Sequence, residues 1–440
     1  MAAKDTFIIQ GLAGKKTLRG SVAINGAKNA VLKAMAAAVL FDGPVTLENV
    51  PDTDDVHTQG TILKKLGAKV EHNTEKRTLS IDPTSITSTD IDFDLAQSMR
   101  SSVVLTGPLL ARFGTVSFPA PGGCVLGTRA IDLFIEGYKK MGSTAEIVDN
   151  LYKIHTMDTI KGMEIFFHTP TVGGTETLMM AATLATGTVV LKNCAMEPEI
   201  VSVAEWLNGC GARIVGAGST TITIEGTAGK LLSAKGPSYI TIPDRIEAGS
   251  FLILGALCAD ELTITNCRPD HMEAVIRLLK EAGVPIEIGA TEISIKGNAK
   301  LANSSFVSFN VRTHEYPGFP TDLQSPMVTF LTQSTGESII FETIFGARFK
   351  FTEDLTALGA NVTVMNPREI LVKGPTPFTQ LPDAEELRSH DLRAGFAVVL
   401  AALLGTGTFT VTGVNLIDRG YEKLEERLTA LGAEVKRVSA

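Results

Sequence analysis

One phrase recurs six times along this chain and limits what the chain can fold into. An amphipathic run closes on a Leu-Gly-Ala-like break, and an alternating strand follows. The breaks centre on Gly67, Gly142, Gly211, Gly283, Gly359 and Gly432. They lie 75, 69, 72, 76 and 73 residues apart. Glycine at the end of an amphipathic run reads as a helix C′ residue, where a left-handed conformation closes the last turn. A period this long exceeds that of a solenoid repeat, so each copy holds enough structure for a small layered subdomain.

A second phrase precedes each break. A helix rich in alanine and leucine meets a turn and then a strand with β-branched alternation, as in residues 36–47, 181–191 and 401–411. Period-two alternation argues strand, and apolar residues at i, i+3 and i+4 argue helix. Each unit therefore reads helix, strand, loop, helix, strand, strand. Helices apolar all round, such as 395–404, are expected to be buried on every side. The 440 residues exceed the roughly 250–300 that one core organises. The expected fold is α/β, with two domains of three repeated units each, helices inside and sheets outside: an inside-out α/β barrel with six-fold pseudo-repeat.

Composition narrows the function classes. The chain is 44% hydrophobic and 20% charged, as for a soluble globular protein. A net charge of −8 gives no reason to expect nucleic acid or an acidic membrane as partner. Five cysteines (Cys124, Cys194, Cys210, Cys258, Cys267) are odd in number and not closely paired, which fits a reducing compartment. The first residues lack a signal-peptide layout, and the apolar run 394–405 is short of the ~20 residues that span a bilayer. A cytoplasmic protein is expected.

Two stretches carry chemistry. Pro121-Gly-Gly-Cys124-Val-Leu-Gly127-Thr-Arg129 sets a thiol among three glycines with an arginine five residues on. A cation eases loss of the thiol proton, and the glycines let a ligand approach the backbone. Ile24-Asn-Gly26-Ala-Lys28-Asn29 places a lysine at the start of an apolar helix. Free N–H groups and a positive charge there make an anion site. The acidic loops Asp52 to Asp55 and Glu197 to Glu199 read as solvated or capping residues. The seven histidines show no ligand spacing, and no dinucleotide or Walker fingerprint occurs. No metal or cofactor is expected. Only His390, immediately before the Asp391-Leu-Arg393 motif, stands out for testing.

These stretches, with Met99-Arg100-Ser-Ser, Pro243-Asp-Arg245-Ile-Glu, Phe319-Pro-Thr-Asp322-Leu-Gln324, Glu342-Thr-Ile-Phe, Asp391-Leu-Arg393-Ala and Asp418-Arg-Gly-Tyr, resemble the UDP-N-acetylglucosamine enolpyruvyl transferases (1-carboxyvinyltransferases). The resemblance extends over nearly the whole length. It implies a discontinuous domain of residues 1–26 and 245–440 and an inserted domain of 27–244 that carries the Cys124 loop. The implied reaction joins phosphoenolpyruvate to the 3-hydroxyl of UDP-N-acetylglucosamine and releases phosphate, the first committed step of peptidoglycan precursor synthesis. Cys124 matches the proton donor, which can also add to the enolpyruvyl carbon, and Asp322 matches the general base. Lys28, Arg129, Arg348 and Arg393 match the cations around phosphoenolpyruvate, and Asn29 a substrate contact. Arg100, Arg129, Ala130, Ile131, Asp132, Leu133, Thr171, Val172 and Ile344 match contacts of the nucleotide sugar. The cations come from both domains, so closure around the anionic substrates is expected, with the Cys124 loop as a lid.

Three positions depart from that family's pattern. Lys33 stands where proline is common, Phe134 where histidine is common, and Asp54 where a basic residue is common. Exchange at Phe134 is expected to alter how the uracil end is held. Transfer to shikimate 3-phosphate or a related nucleotide sugar, or a non-catalytic nucleotide-sugar sensor, are the alternatives. A sensor predicts loss of the acid or base, yet Cys124 and Asp322 are both present.

Overall fold

The computed structural model describes residues 5–119, 131–379, 381 and 386–439. The six-fold phrase is realised as six pairs of helices, one buried and one amphipathic. They are α1 (Lys28–Ala37) and α2 (Asp54–Leu66), α3 (Thr106–Phe113) and α4 (Asp132–Lys140), α5 (Val172–Thr183) and α6 (Pro198–Gly209). The later pairs are α7 (Arg245–Cys258) and α8 (Glu273–Glu281), α9 (Gln324–Gln333) and α10 (Thr352–Ala357), α11 (Leu392–Leu404) and α12 (Leu424–Ala430). Every residue of α9 is buried, as is every residue of α7 and α11 after the first. A helix with no polar face must be packed on all sides, and the sheets supply that cover.

Each repeat contributes a sheet with one strand order. In the fifth, Gly336–Phe341 pairs antiparallel with Glu369–Gly374, which pairs antiparallel with Asn361–Asn366. The short strand Val311–Arg312 adds to the other edge in parallel. Among the described residues, five four-stranded sheets follow this order, and the second repeat gives three strands plus a parallel bridge between Asp90 and Ser117. Thr6–Gln10 supplies the missing last strand of the sixth repeat, between Thr408–Thr412 and Val435–Val438. Leu18–Ala23 is the parallel edge of the fourth repeat, beside Ala259–Thr265.

That strand sharing divides the chain into two compact units. Residues up to Asn25 and from Pro243 onward form one, and those described between Gly26 and Ile242 form the other. Each has its own apolar core and three sheets. Near one crossing point Asp244 caps α7, accepting from the N–H groups of Ile246 at 2.8 Å and Glu247 at 3.0 Å. Among the described residues no helix is long and apolar enough to cross a membrane.

Candidate active site

In the unit that contains the C-terminus, the turn before α9 presents Asp322. One carboxylate oxygen accepts from Arg348 Nη1 at 3.1 Å, and the other faces Arg393 Nε at 3.4 Å. The two guanidiniums are almost wholly buried, whereas the Asp322 side chain keeps 27% exposure. Arg393 lies in the first turn of α11, whose N-cap Asp391 accepts from the N–H groups of Arg393 and Ala394. Burial pulls both guanidiniums down, but for Arg348 the carboxylates of Asp322, Asp391 and Glu342 outweigh it and hold the group raised. Arg393 is likewise held above its ordinary value, by Tyr421, Asp322 and Asp244 against burial.

Glu342 organises this corner. It is fully buried, and its carboxylate accepts from Thr313 and Thr321 hydroxyls at 2.9 and 2.8 Å. It also accepts from the N–H groups of Ile344 and Phe345 at 2.8 and 3.0 Å, which fixes the loop that carries Ile344. Thr321 in turn accepts from Arg348 Nη1 at 2.8 Å. Arg348 Nε and Arg393 Nη1 and Nη2 are buried and make no hydrogen bond of normal geometry within the described residues. Buried donors left this way favour an anion, and planar guanidiniums suit phosphate or carboxylate. An aspartate that is open to solvent on one side and backed by two fixed cations can take a proton from a neighbouring hydroxyl.

In the other unit, Lys28 opens α1 and its Nζ lies 3.1 Å from Asp55 Oδ2 of α2. Asn29 follows, the one residue of α1 that is not buried. Arg100 begins a 3₁₀ turn after Met99, and Asp132 and Leu133 open α4 behind Ile131. Thr171 caps α5, its hydroxyl accepting from Gly174 N–H at 3.2 Å, with Val172 next. Cys124, Arg129 and Ala130 lie outside the described residues.

Some expectations change. Asp55, Glu197 and Glu199 are not solvated loop residues: all three are at most 5% exposed. Asp55 falls inside the first turn of α2, and Glu197 stands at the N-cap of α6 without a side-chain capping bond. Phe134 is a core residue, edge-on to Tyr138. His390 Nε2 lies 2.9 Å from Asp354 Oδ2, a hydrogen-bonding contact within its own unit. Asp52, His57 and His72 form the one group among the described residues that could hold a metal. His57 and Asp52 are already joined at 2.6 Å at the surface, closer than the ~3.3 Å between ligand atoms around tetrahedral zinc. That contact is a surface hydrogen bond between the two side chains. The sequence reading also missed Glu176 and the partner it gives Lys33, because a glutamate in Thr175-Glu-Thr177 looks like any polar helix residue.

Comparisons with known proteins bear on the family and the fold. The sequence model of the EPSP synthase family (3-phosphoshikimate 1-carboxyvinyltransferase) matches residues 12–428. A UDP-N-acetylglucosamine 1-carboxyvinyltransferase of Desulforapulum autotrophicum is 41% identical over 97% of this chain and 99% of its own. One from Koribacter versatilis is 42% identical over 99% of this chain and 96% of its own. The enolpyruvyl transferase NikO from Streptomyces tendae shares the fold with a TM-score of 0.87, at 24% identity over 100% of both chains. EPSP synthase from Acinetobacter baumannii shares it at 0.70, with 16% identity over 99% of this chain and 100% of its own. The sequence relatives are similar over their whole length, and the chain therefore belongs to the EPSP synthase family of transferases and, within it, to the UDP-N-acetylglucosamine 1-carboxyvinyltransferases.

Proposed function

We propose that the chain transfers the enolpyruvyl group of phosphoenolpyruvate to the 3-hydroxyl of UDP-N-acetylglucosamine, in the cytoplasm, as a step of peptidoglycan precursor synthesis. The observation that carries the reading is Asp322 between two buried arginines with spare donors. Full-length relatives of that name support the choice of acceptor. The four described cysteines are buried and unpaired, which suits a reducing compartment.

In this reading Asp322 accepts the proton of the sugar hydroxyl as its oxygen bonds to the enol carbon. Cys124 delivers a proton to the methylene carbon. The carbon–oxygen bond to phosphate then breaks as the methyl carbon gives a proton back to the Cys124 thiolate, the enol ether forms on the sugar, and the proton held by Asp322 passes to the departing inorganic phosphate. Arg348, Arg393, Lys28 and Arg129 neutralise the phosphate and carboxylate. Asn29, Arg100, Ala130, Ile131, Asp132, Leu133, Thr171, Val172 and Ile344 hold the nucleotide sugar.

Phosphate release with both substrates, on wild type, Cys124→Ser and Asp322→Ala, tests the assignment. Wild type is expected to turn over and Asp322→Ala to lose at least a hundredfold in kcat, the low end for a general base. Full activity of Asp322→Ala would remove its role. An electrophilic epoxide phosphonate is expected to label Cys124 alone. Burial pushes the thiols of Cys194, Cys210 and Cys267 up to about 11 and that of Cys258 up to about 12. Labelling at any of those four would overturn the choice of thiol.

A further inference from the structure

Lys33 departs from its neighbours on α1. Every other residue there except Lys28 and Asn29 is apolar, yet Lys33 is only 8% exposed. Its Nζ lies 3.1 Å from Glu176 Oε2 in the second turn of α5, and Glu176 is 1% exposed. The same Nζ donates to the carbonyl oxygen of Asn29 at 3.0 Å. The bond to Asn29 is the hydrogen bond of this ammonium, and its contact with Glu176 is one of charge, since neither Glu176 carboxylate oxygen has a hydrogen-bond partner of normal geometry among the described residues. The hydrogen bond ties Lys33 to the turn that carries Lys28 and Asn29, and the charge contact draws that turn toward α5, which starts at Val172 behind the cap Thr171. Lys28 and Lys33 are five residues apart, so they leave the helix in different directions, Lys28 toward Asp55 of α2 and Lys33 toward Glu176 of α5. The first turn of α1 is thereby held from two sides.

We propose that Lys33 and Glu176 are positioning residues for enolpyruvyl transfer: their buried ion pair fixes the Lys28–Asn29 turn against the helix that presents Thr171 and Val172. The proposal rests on the reading of those four residues as substrate-binding. A buried pair is a poor source of net stability, because desolvation offsets the attraction. It does fix geometry, since breaking it leaves an uncompensated charge. The groups facing Glu176 are Lys33, the carboxylates of Glu197 and Glu199 at the start of α6, and the hydroxyl-bearing Tyr239. Burial and the two carboxylates push Glu176 up to about 7, against Lys33. The pair is therefore ionised above neutrality and loses the glutamate's charge below it.

The test compares wild type, Lys28→Ala and the double variant Lys33→Met/Glu176→Leu in phosphate release, with phosphoenolpyruvate varied at saturating nucleotide sugar, at pH 6 and 8. The double variant leaves no lone buried charge and is expected to fold, which its melting curve checks. Its kcat is expected within threefold of wild type and its KM for phosphoenolpyruvate about tenfold higher at pH 8. The ratio of the two KM values shrinks at pH 6, where wild type has lost the pair. A purely structural role would lower the active fraction and leave KM and its pH dependence alone. If Lys28→Ala raises KM and the double variant stays within twofold of wild type at both pH values, the positioning role is overturned alone. If Lys28→Ala leaves KM unchanged, the substrate reading of α1 fails and takes the proposal with it. Should the double variant not fold, Glu176→Gln gives the same comparison: KM unchanged at both pH values would overturn the role.

Discussion

Around Asp322 one carboxylate faces two guanidiniums, whereas the Lys33 cluster sets two ammonium groups against the carboxylates of Asp55, Glu176, Glu197 and Glu199. Both clusters involve residues in the early turns of buried helices, and their materials differ. Arginine stays charged at any accessible pH, so the two guanidiniums at Asp322 keep their charge and their spare donors for an anionic substrate. The Lys33 cluster has a carboxylate excess and contains a group, Glu176, that titrates near neutrality. The first arrangement suits chemistry on a phosphate ester. The second suits holding a helix in place, with a strength that changes with pH.

The largest effect that could break this contrast is at Asp322. Asp322→Asn keeps the shape and removes the base, so kcat for phosphate release is expected to fall by about 10²–10⁴. A loss of tenfold or less would place the chemistry elsewhere. Next, Arg393→Lys keeps the charge and gives up the planar fork. KM for phosphoenolpyruvate is expected to rise roughly 10- to 100-fold, from the ~1.5–3 kcal/mol of a hydrogen bond to a charged group. An unchanged KM would mean that the spare donors of Arg393 meet no substrate.

The two units also differ in how pH acts on their stability. Glu176 is raised in the fold, so it binds its proton more tightly there than in the unfolded chain. Its favourable contribution is complete below its ordinary range near 4.5 and is lost as pH rises through about 7. Lys16, in the other unit, is lowered by burial to about 7 and donates to Asn298 at 2.9 Å. Its contribution is present above 10.5 and is lost as pH falls through about 7. Hydrogen exchange followed by mass spectrometry at pH values corrected for intrinsic rate reads each unit separately. From pH 5 to 8 the unit with Glu176 is expected to lose protection relative to Glu176→Gln. From pH 7 to 9 the unit with Lys16 is expected to gain protection relative to Lys16→Met. Identical pH responses in both units would remove the distinction. The smallest effect is at a repeat glycine: Gly432 has φ of 98° with no atom within 4 Å of a built Cβ. Gly432→Ala should therefore cost only the left-handed backbone, about 1 kcal/mol, seen as a small drop in melting temperature.

The repeat glycines show what was legible. Gly67, Gly142, Gly211, Gly283, Gly359 and Gly432 adopt φ of 107, 97, 108, 100, 107 and 98°. Six positions spaced by sequence alone land in one conformation because each ends the same helix-to-strand turn. Helix type follows as directly, since an all-apolar run such as α11 has no other place than a core. The motif set pointed to Asp322, Arg348 and Arg393, and the fold brings these three into contact from the fifth and sixth repeats. Burial of charge was illegible. Glu176, Glu197, Glu199 and Asp55 are acidic residues near helix starts, where solvent exposure is the rule, and only tertiary packing encloses them. Lys33 was noticed for its departure from a family pattern, but nothing in its neighbours in sequence named Glu176, 143 residues away, as its partner.

Acceptor choice tests the account most directly. Phosphate release from phosphoenolpyruvate is measured on the wild-type chain with UDP-N-acetylglucosamine and, side by side, with shikimate 3-phosphate. The account predicts one phosphate per nucleotide sugar consumed and none above background with shikimate 3-phosphate. Release with shikimate 3-phosphate, or tight binding of the nucleotide sugar with no release at all, would contradict it.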